Sequence, residues 1–171
     1  MTRTEISSLG EFGLIDRIRR QFDTRLPQTI RGIGDDAAVI DTDTHFYTLL
    51  STDMLVEGVH FDLSYTPLKH LGYKAAVVNF SDIAAMNGTP QQITVSLALS
   101  NRFSVEAIDE LYAGIKAACD AYNVDLVGGD TSASRAGLMI SITVVGTVAK
   151  DKIAYRNTAK PNDVLCVTGD L

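Results

Sequence analysis

The run NFSDIAAMNG, residues 79–88, constrains this chain more than any other stretch. Wound as a helix, it sets Asp82 on one side with Ala75, Val78, Asn79 and Met86, while Ala76, Phe80, Ile83 and Ala84 cover the rest. Such a helix is apolar nearly all round and is expected in an interior. A carboxylate projected from a buried helix is costly unless cations or donors meet it. The sequence sets no Arg or Lys beside Asp82 and supplies further acids instead: Asp35 and Asp36 in GIGDD, Asp53 in STD and Asp130 in GGDTS. Each lies beside Gly, Ser or Thr, where a strand is expected to run out. Several acids converging on one place imply a metal.

The remaining totals narrow the partners. At 171 residues and 46% hydrophobic content the chain can bury a sizeable core as one domain. A net charge of −6 and a pI near 4.9 argue against nucleic-acid or anionic-membrane surfaces. An anionic ligand here would need metal ions as bridges. No stretch approaches a membrane span of roughly 20 apolar residues, and MTRTEISSLGEFG lacks the apolar centre of a signal peptide. A cytoplasmic protein is expected. Cys119, on a helix face, and Cys166, in an expected late strand, are too few for a disulfide framework and read as reduced thiols.

Along the chain, Phe12, Ile15, Ile18 and Phe22 predict an amphipathic first helix over residues 11–22, a lid or a packing element. Residues 32–40 and 46–51 read as a hairpin joined by residues 41–44. Thr66 and Pro67 read as cap and first position of the central helix, which should end at Asn87 and Gly88 with Pro90 beyond. Residues 92–99 alternate as a strand, and Ser104 caps a helix facing inward through Ile108, Leu111, Tyr112, Ile115, Cys119 and Tyr122. Strands follow at 124–127, 138–148 and 164–168. The order predicts an α+β fold, a mostly antiparallel sheet with helices on one face. The ending at Gly169, Asp170 and Leu171 reads as a cut at a domain boundary.

Taken singly, the motifs have ordinary explanations. GIGDD and STD could be turns or strand ends, and His60, between Val59 and Phe61, a packed surface histidine. GGDTS says more: paired glycines let backbone amides approach a phosphate, and Asp130 with the hydroxyls suits a hard cation. By residue type alone Tyr112 is core and Arg156 a solvated loop residue. Mg²⁺ prefers oxygen ligands and shares its shell with water and phosphates, so four acids on separate elements could hold several such ions. There is no Walker loop, HExxH, GxSxG or regular calcium loop.

The set GEFGLIDRI, GIGDDAAVI, STDMLVEGVHF, GYKAAVVNFSDIAAMNGTP, LVGGDTS and YRNTAKPNDVLCVTG resembles the thiamine monophosphate kinases, within the family related to aminoimidazole ribonucleotide synthetase. The resemblance covers nearly the whole chain, in order. It implies that residues 1–171 form the N-terminal ATP- and Mg²⁺-binding domain, and that ATP phosphorylates thiamine monophosphate to the diphosphate by direct transfer. It also implies a homodimer in which two such sheets close into a β-barrel, with ATP near the interface. By position, Asp36, Ser51, Thr52, Asp53, Asp82 and Asp130 resemble the family's Mg²⁺ ligands, with Asp35 supporting the loop. His60 resembles a substrate contact, while Tyr112, Gly129, Asp130 and Arg156 resemble ATP contacts. Charge stabilisation by metal ions replaces any catalytic base or covalent intermediate. Asn87 and Asn162 stand where the family has glycine, and Asn tolerates both backbones. The family's C-terminal half, which supplies further acids and much of the thiamine pocket, is absent from this chain, so the fragment alone is expected not to turn over. Two other readings stay open: an ATP-dependent synthetase of the same family, and a non-catalytic dimerisation and nucleotide-binding module.

Overall fold

The structure, a computed structural model, describes residues 5–167 and Gly169. Expectations resting on residues 1–4, on Thr168, and on Asp170 and Leu171 at the chain end lie outside the described residues. A short 3-10 turn at Ile6–Ser8 precedes α1 (Gly10–Arg19); then come β1 (Thr29–Arg31), β2 (Ala38–Asp41), β3 (Phe46–Val56), α2 (Leu68–Ala85), β4 (Thr89–Leu99), α3 (Val105–Tyr122), β5 (Asp125–Ala133) and β6 (Met139–Ala149). The six strands form one mixed, open sheet in the order β1-β2-β3-β6-β4-β5. All pairs are antiparallel except β4 with β5. That exception follows from connectivity: α3 carries the chain back over the sheet, and such a crossover returns a strand in the same direction.

Period-two alternation gives each strand two faces. On β3, Leu49, Ser51, Asp53 and Leu55 face the helices, while Leu50, Thr52 and Met54 face away. The core lies between the sheet and the helices, with Val39, Leu49, Ile93, Val95, Ile140, Ile142 and Val144 meeting Leu71, Phe80, Ile83, Leu111 and Ile115. No described helix covers the opposite face of the sheet.

Two glycines set the distance between α2 and α3. A Cβ on Gly72 would sit 2.0 Å from the Leu111 carbonyl oxygen, and one on Gly114 would sit 1.9 Å from that of Lys69. The helices cross backbone to backbone there. α2 is consequently not apolar all round: Tyr73, Lys74, Ser81, Ala84 and Ala85 are exposed on its outer side. The sheet covers only one face, so the expectation of a fully interior helix is corrected.

Other expectations need adjusting. Ser104 caps α3 by accepting from Ala107 N, but the N-cap of α2 is Pro67, without a side-chain cap, rather than Thr66. GIGDD is loop, and strand begins at Ala38. β3 runs through Asp53 and β5 through Asp130, because each has a partner strand along its length, so these acids stand within strands rather than at strand ends. Val164–Val167 are exposed and not in a strand, since no strand lies beside them, and Cys166 is therefore in irregular chain. Asn87 (φ 61) and Asn162 (φ 79) do adopt left-handed backbones.

Candidate functional site

Ser51 connects the acidic residues. From β3 its Oγ donates to Asp82 Oδ2 on α2 at 2.7 Å and lies 2.9 Å from the Asp36 carbonyl oxygen. One hydroxyl hydrogen serves one acceptor fully. Burial pushes the Asp82 carboxyl above its ordinary value; the Ser51 bond works against that, and the charges of Asp53 and Asp36 add to it. Three carboxylates from a loop, a strand and a helix thus share one electrostatic neighbourhood.

Asn79, set beside Asp82 by the helical period but given no role there, fixes this arrangement. Nearly fully buried, it donates from Nδ2 to Ala75 O at 3.0 Å and accepts at Oδ1 from Asp53 N at 3.0 Å. It therefore ties α2 to β3 one helical turn before Asp82. A buried Asn on the same helix side as an Asp was the signal that could have found it.

The GIGDD loop is braced by its first acid, in line with the expectation for Asp35. That side chain is fully buried; Oδ2 lies 3.0 Å from Arg31 Nη2, out of line for a hydrogen bond, and Oδ1 accepts from Arg156 N at 3.3 Å. The Arg156 guanidinium pairs with Asp36 Oδ1. Arg156 is thus engaged with the acidic loop. Its default reading as a solvated loop residue does not hold.

Asp35, Asp36, Ser51 and Arg156 line an open cleft of about 840 Å³ together with the rest of Gly32–Ala38, Leu50 and Thr52, with Phe12, Ile15 and Arg19 of α1 along one side; Asp53 and Asp82 are not among its lining residues. α1 buries no residue, so it does not pack into the core, and it runs along one side of this cleft. Thr52 points to the other face of the sheet, bonded to Ile142 O and Thr143.

The remaining candidates stand apart. Asp130 pairs in register with Ser96, separated from β3 by β6 and β4, hence by three strand spacings or roughly 14 Å. Its side chain is exposed and makes no hydrogen bond or ion pair among the described residues. Gly129 is there because of close approach: a Cβ would fall 1.8 Å from Val95 O. Gly128–Thr131 with Tyr112, Val95 and Leu126 line a second cleft of about 380 Å³, which shares Tyr112 and Leu126 with an apolar groove between α3 and β5. Tyr112 is half-buried, and burial raises its hydroxyl pKa. His60 lies beyond the end of β3; its Nδ1 accepts from Val56 N at 3.0 Å, which assigns the neutral ring's proton to Nε2.

The donor set around Ser51 consists of oxygen atoms only, which suits a hard divalent cation. Among the described residues no three His, Cys, Asp or Glu side chains gather closely enough to hold an ion by themselves. Water or ligand phosphates would complete the shell, as Mg²⁺ favours.

A family model described as AIR synthase related protein, N-terminal domain, matches residues 34–148. The chain is 38% identical over 169 residues to a thiamine-monophosphate kinase of Bacillus subtilis, covering 95% of this chain and 50% of that protein. It is 40% identical over 154 residues to one from Rhodopirellula baltica, covering 86% and 48%. A solved structure of AaThiL complexed with AMPPCP and TMP superposes with a TM-score of 0.82 at 35% identity, covering 94% of this chain and 48% of that one. The chain spans about half the length of the curated relatives it matches.

Proposed function

Because the chain belongs to the AIR synthase related family through that family's N-terminal domain, we propose that residues 1–171 form the ATP- and Mg²⁺-binding half of a kinase converting thiamine monophosphate to thiamine diphosphate. The single observation that carries this reading is that Ser51 joins the Asp82 carboxyl to the Asp36 backbone within the electrostatic reach of the Asp36 and Asp53 charges, in a chain whose fold matches a structure holding AMPPCP and TMP. Asp36, Ser51, Asp53 and Asp82 would hold Mg²⁺, which supplies charge neutralisation and alignment for two phosphate-bearing anions. Thr52, facing the other side of the sheet, joins that set only through its backbone or through a second copy. Asp130 reaches the same phosphates from the β5 side, with Gly129 presenting backbone to them and Tyr112 meeting the base. Arg156 contacts nucleotide phosphate and His60 the thiamine substrate.

No side chain is assigned as a general base, since the loose phosphoryl-transfer transition state needs alignment and charge more than proton removal. The uncovered sheet face, with Leu50, Met54 and Phe46 partly exposed on it, supports a homodimer in which two sheets close into a barrel. No described helix is long and apolar enough to cross a membrane, which fits a cytoplasmic enzyme. The test is to incubate the full-length protein with ATP and thiamine monophosphate and separate the thiamine phosphates by thin-layer chromatography. Absence of the diphosphate rejects the kinase. A second reading is a nucleotide-binding and dimerisation module; complementation by the 171-residue chain against the full-length protein separates the two.

A further inference from the structure

We infer that Arg156 has a second role besides contacting phosphate: it is the counter-ion of the acidic loop when no metal is bound, and a divalent cation must displace it from Asp36. The inference rests on the magnesium and nucleotide reading of the site and adds an exchange step to it. Of Asp36, Asp53 and Asp82, only Asp36 has an ion-pair partner among the described residues, and that partner is Arg156.

Arg156 is held at both ends. Its backbone N is bound to Asp35, whose side chain is fully buried and paired with Arg31. The Arg31 guanidinium in turn lies 5.2 Å over the ring of the preceding residue, Tyr155. The backbone at residues 155–156 is therefore anchored to the GIGDD loop on one side. The guanidinium pairs with Asp36 through Nη2 while its Nε lies 3.7 Å from Asp35 Oδ1, and the side chain is 45% exposed, so Asp35 keeps hold of it when the Asp36 pair opens. An Asp36 oxygen that ligates a divalent cation loses its full interaction with a guanidinium, because the two cations compete for one carboxylate and repel each other. Metal loading then breaks the Arg156–Asp36 pair and releases a cation from the cleft floor, where an incoming phosphate can take it.

Competition and phosphate contact make opposite predictions for one substitution. Arg156→Gln removes the competitor, so Mn²⁺ titrated into the nucleotide-free intact protein and followed by electron paramagnetic resonance should bind roughly twofold to fivefold more tightly, the scale of a part-exposed ion pair. The same variant should bind AMPPCP more weakly at saturating Mn²⁺. Arg156→Lys, which keeps a charge but loses the planar fork, should fall between wild type and Arg156→Gln in both measurements. Unchanged or weaker nucleotide-free Mn²⁺ binding in Arg156→Gln overturns the counter-ion role, as does finding no nucleotide-free binding in either protein. If wild type fails to bind Mn²⁺ even with AMPPCP present, the magnesium reading itself falls. Matching thermal melts of variant and wild type exclude unfolding as the cause.

Discussion

An ionised carboxylate at position 82 has one hydroxyl donor, Ser51, and two acids in its field. Its pKa in the fold lies above the ordinary 3.8, chiefly through burial, so ionisation is easier in the unfolded chain. Asp82 therefore costs stability as pH rises through the unfolded value, and the cost is complete above the folded one. Asp82→Asn lacks that cost while still accepting from Ser51. In chelator-containing buffer at neutral pH its melting temperature should equal or exceed that of wild type, while Mg²⁺-dependent ATP binding by calorimetry is lost; unchanged nucleotide affinity would contradict the metal assignment. Glu57 behaves oppositely. Arg102, by a side-chain hydrogen bond, and then the Leu138 amide hold its carboxyl below the ordinary 4.5. Its contribution is present above about 4.5 and fades as pH falls through the lower folded value. Urea midpoints of wild type measured from pH about 6 down to about 3 should drop more steeply than those of Glu57→Gln.

At the scale of elements, the site depends on how closely α2 lies against its neighbours. Gly72 and Gly114 allow α2 and α3 to touch through backbone, and Asn79 ties α2 to β3 beside Asp53. Gly114→Ala puts a methyl carbon where the Lys69 carbonyl oxygen stands, which must push the helices apart. Overpacking of this kind should cost about 1–3 kcal/mol or more in denaturant unfolding. Because α2 carries Asp82, the same variant should also weaken Mn²⁺-nucleotide binding. Full affinity and full stability in Gly114→Ala would mean that the helix crossing does not set the site.

At the scale of the molecule, the sheet is covered on one face and bare on the other. Met54, 55% exposed near the C-terminal end of β3, lies on the bare face and points away from the acids. If two sheets close on each other in solution, Met54→Lys should convert dimer to monomer by sedimentation velocity while leaving the far-ultraviolet circular dichroism unchanged. A wild-type protein that sediments as a monomer at every concentration would remove the dimer from the proposed function.

Local pattern was enough to determine the α+β class, the capped α3, the β2–β3 hairpin, the left-handed Asn87 and the acid-bearing motifs, because hydrophobic period, caps and turn chemistry are written within a few residues of one another. What the fold alone decided is set by partners distant in sequence. β5 lies parallel to β4 and extends through GGDTS because a neighbouring strand bonds it along its length, whereas Val164–Val167 had the composition of a strand and no strand beside them. Likewise the sequence supplied the acids, but only packing brought Ser51 between Asp36 and Asp82 and Arg156 onto Asp36. It also left Asp130 three strands away, since strand order is a property of the closed chain and of no segment within it.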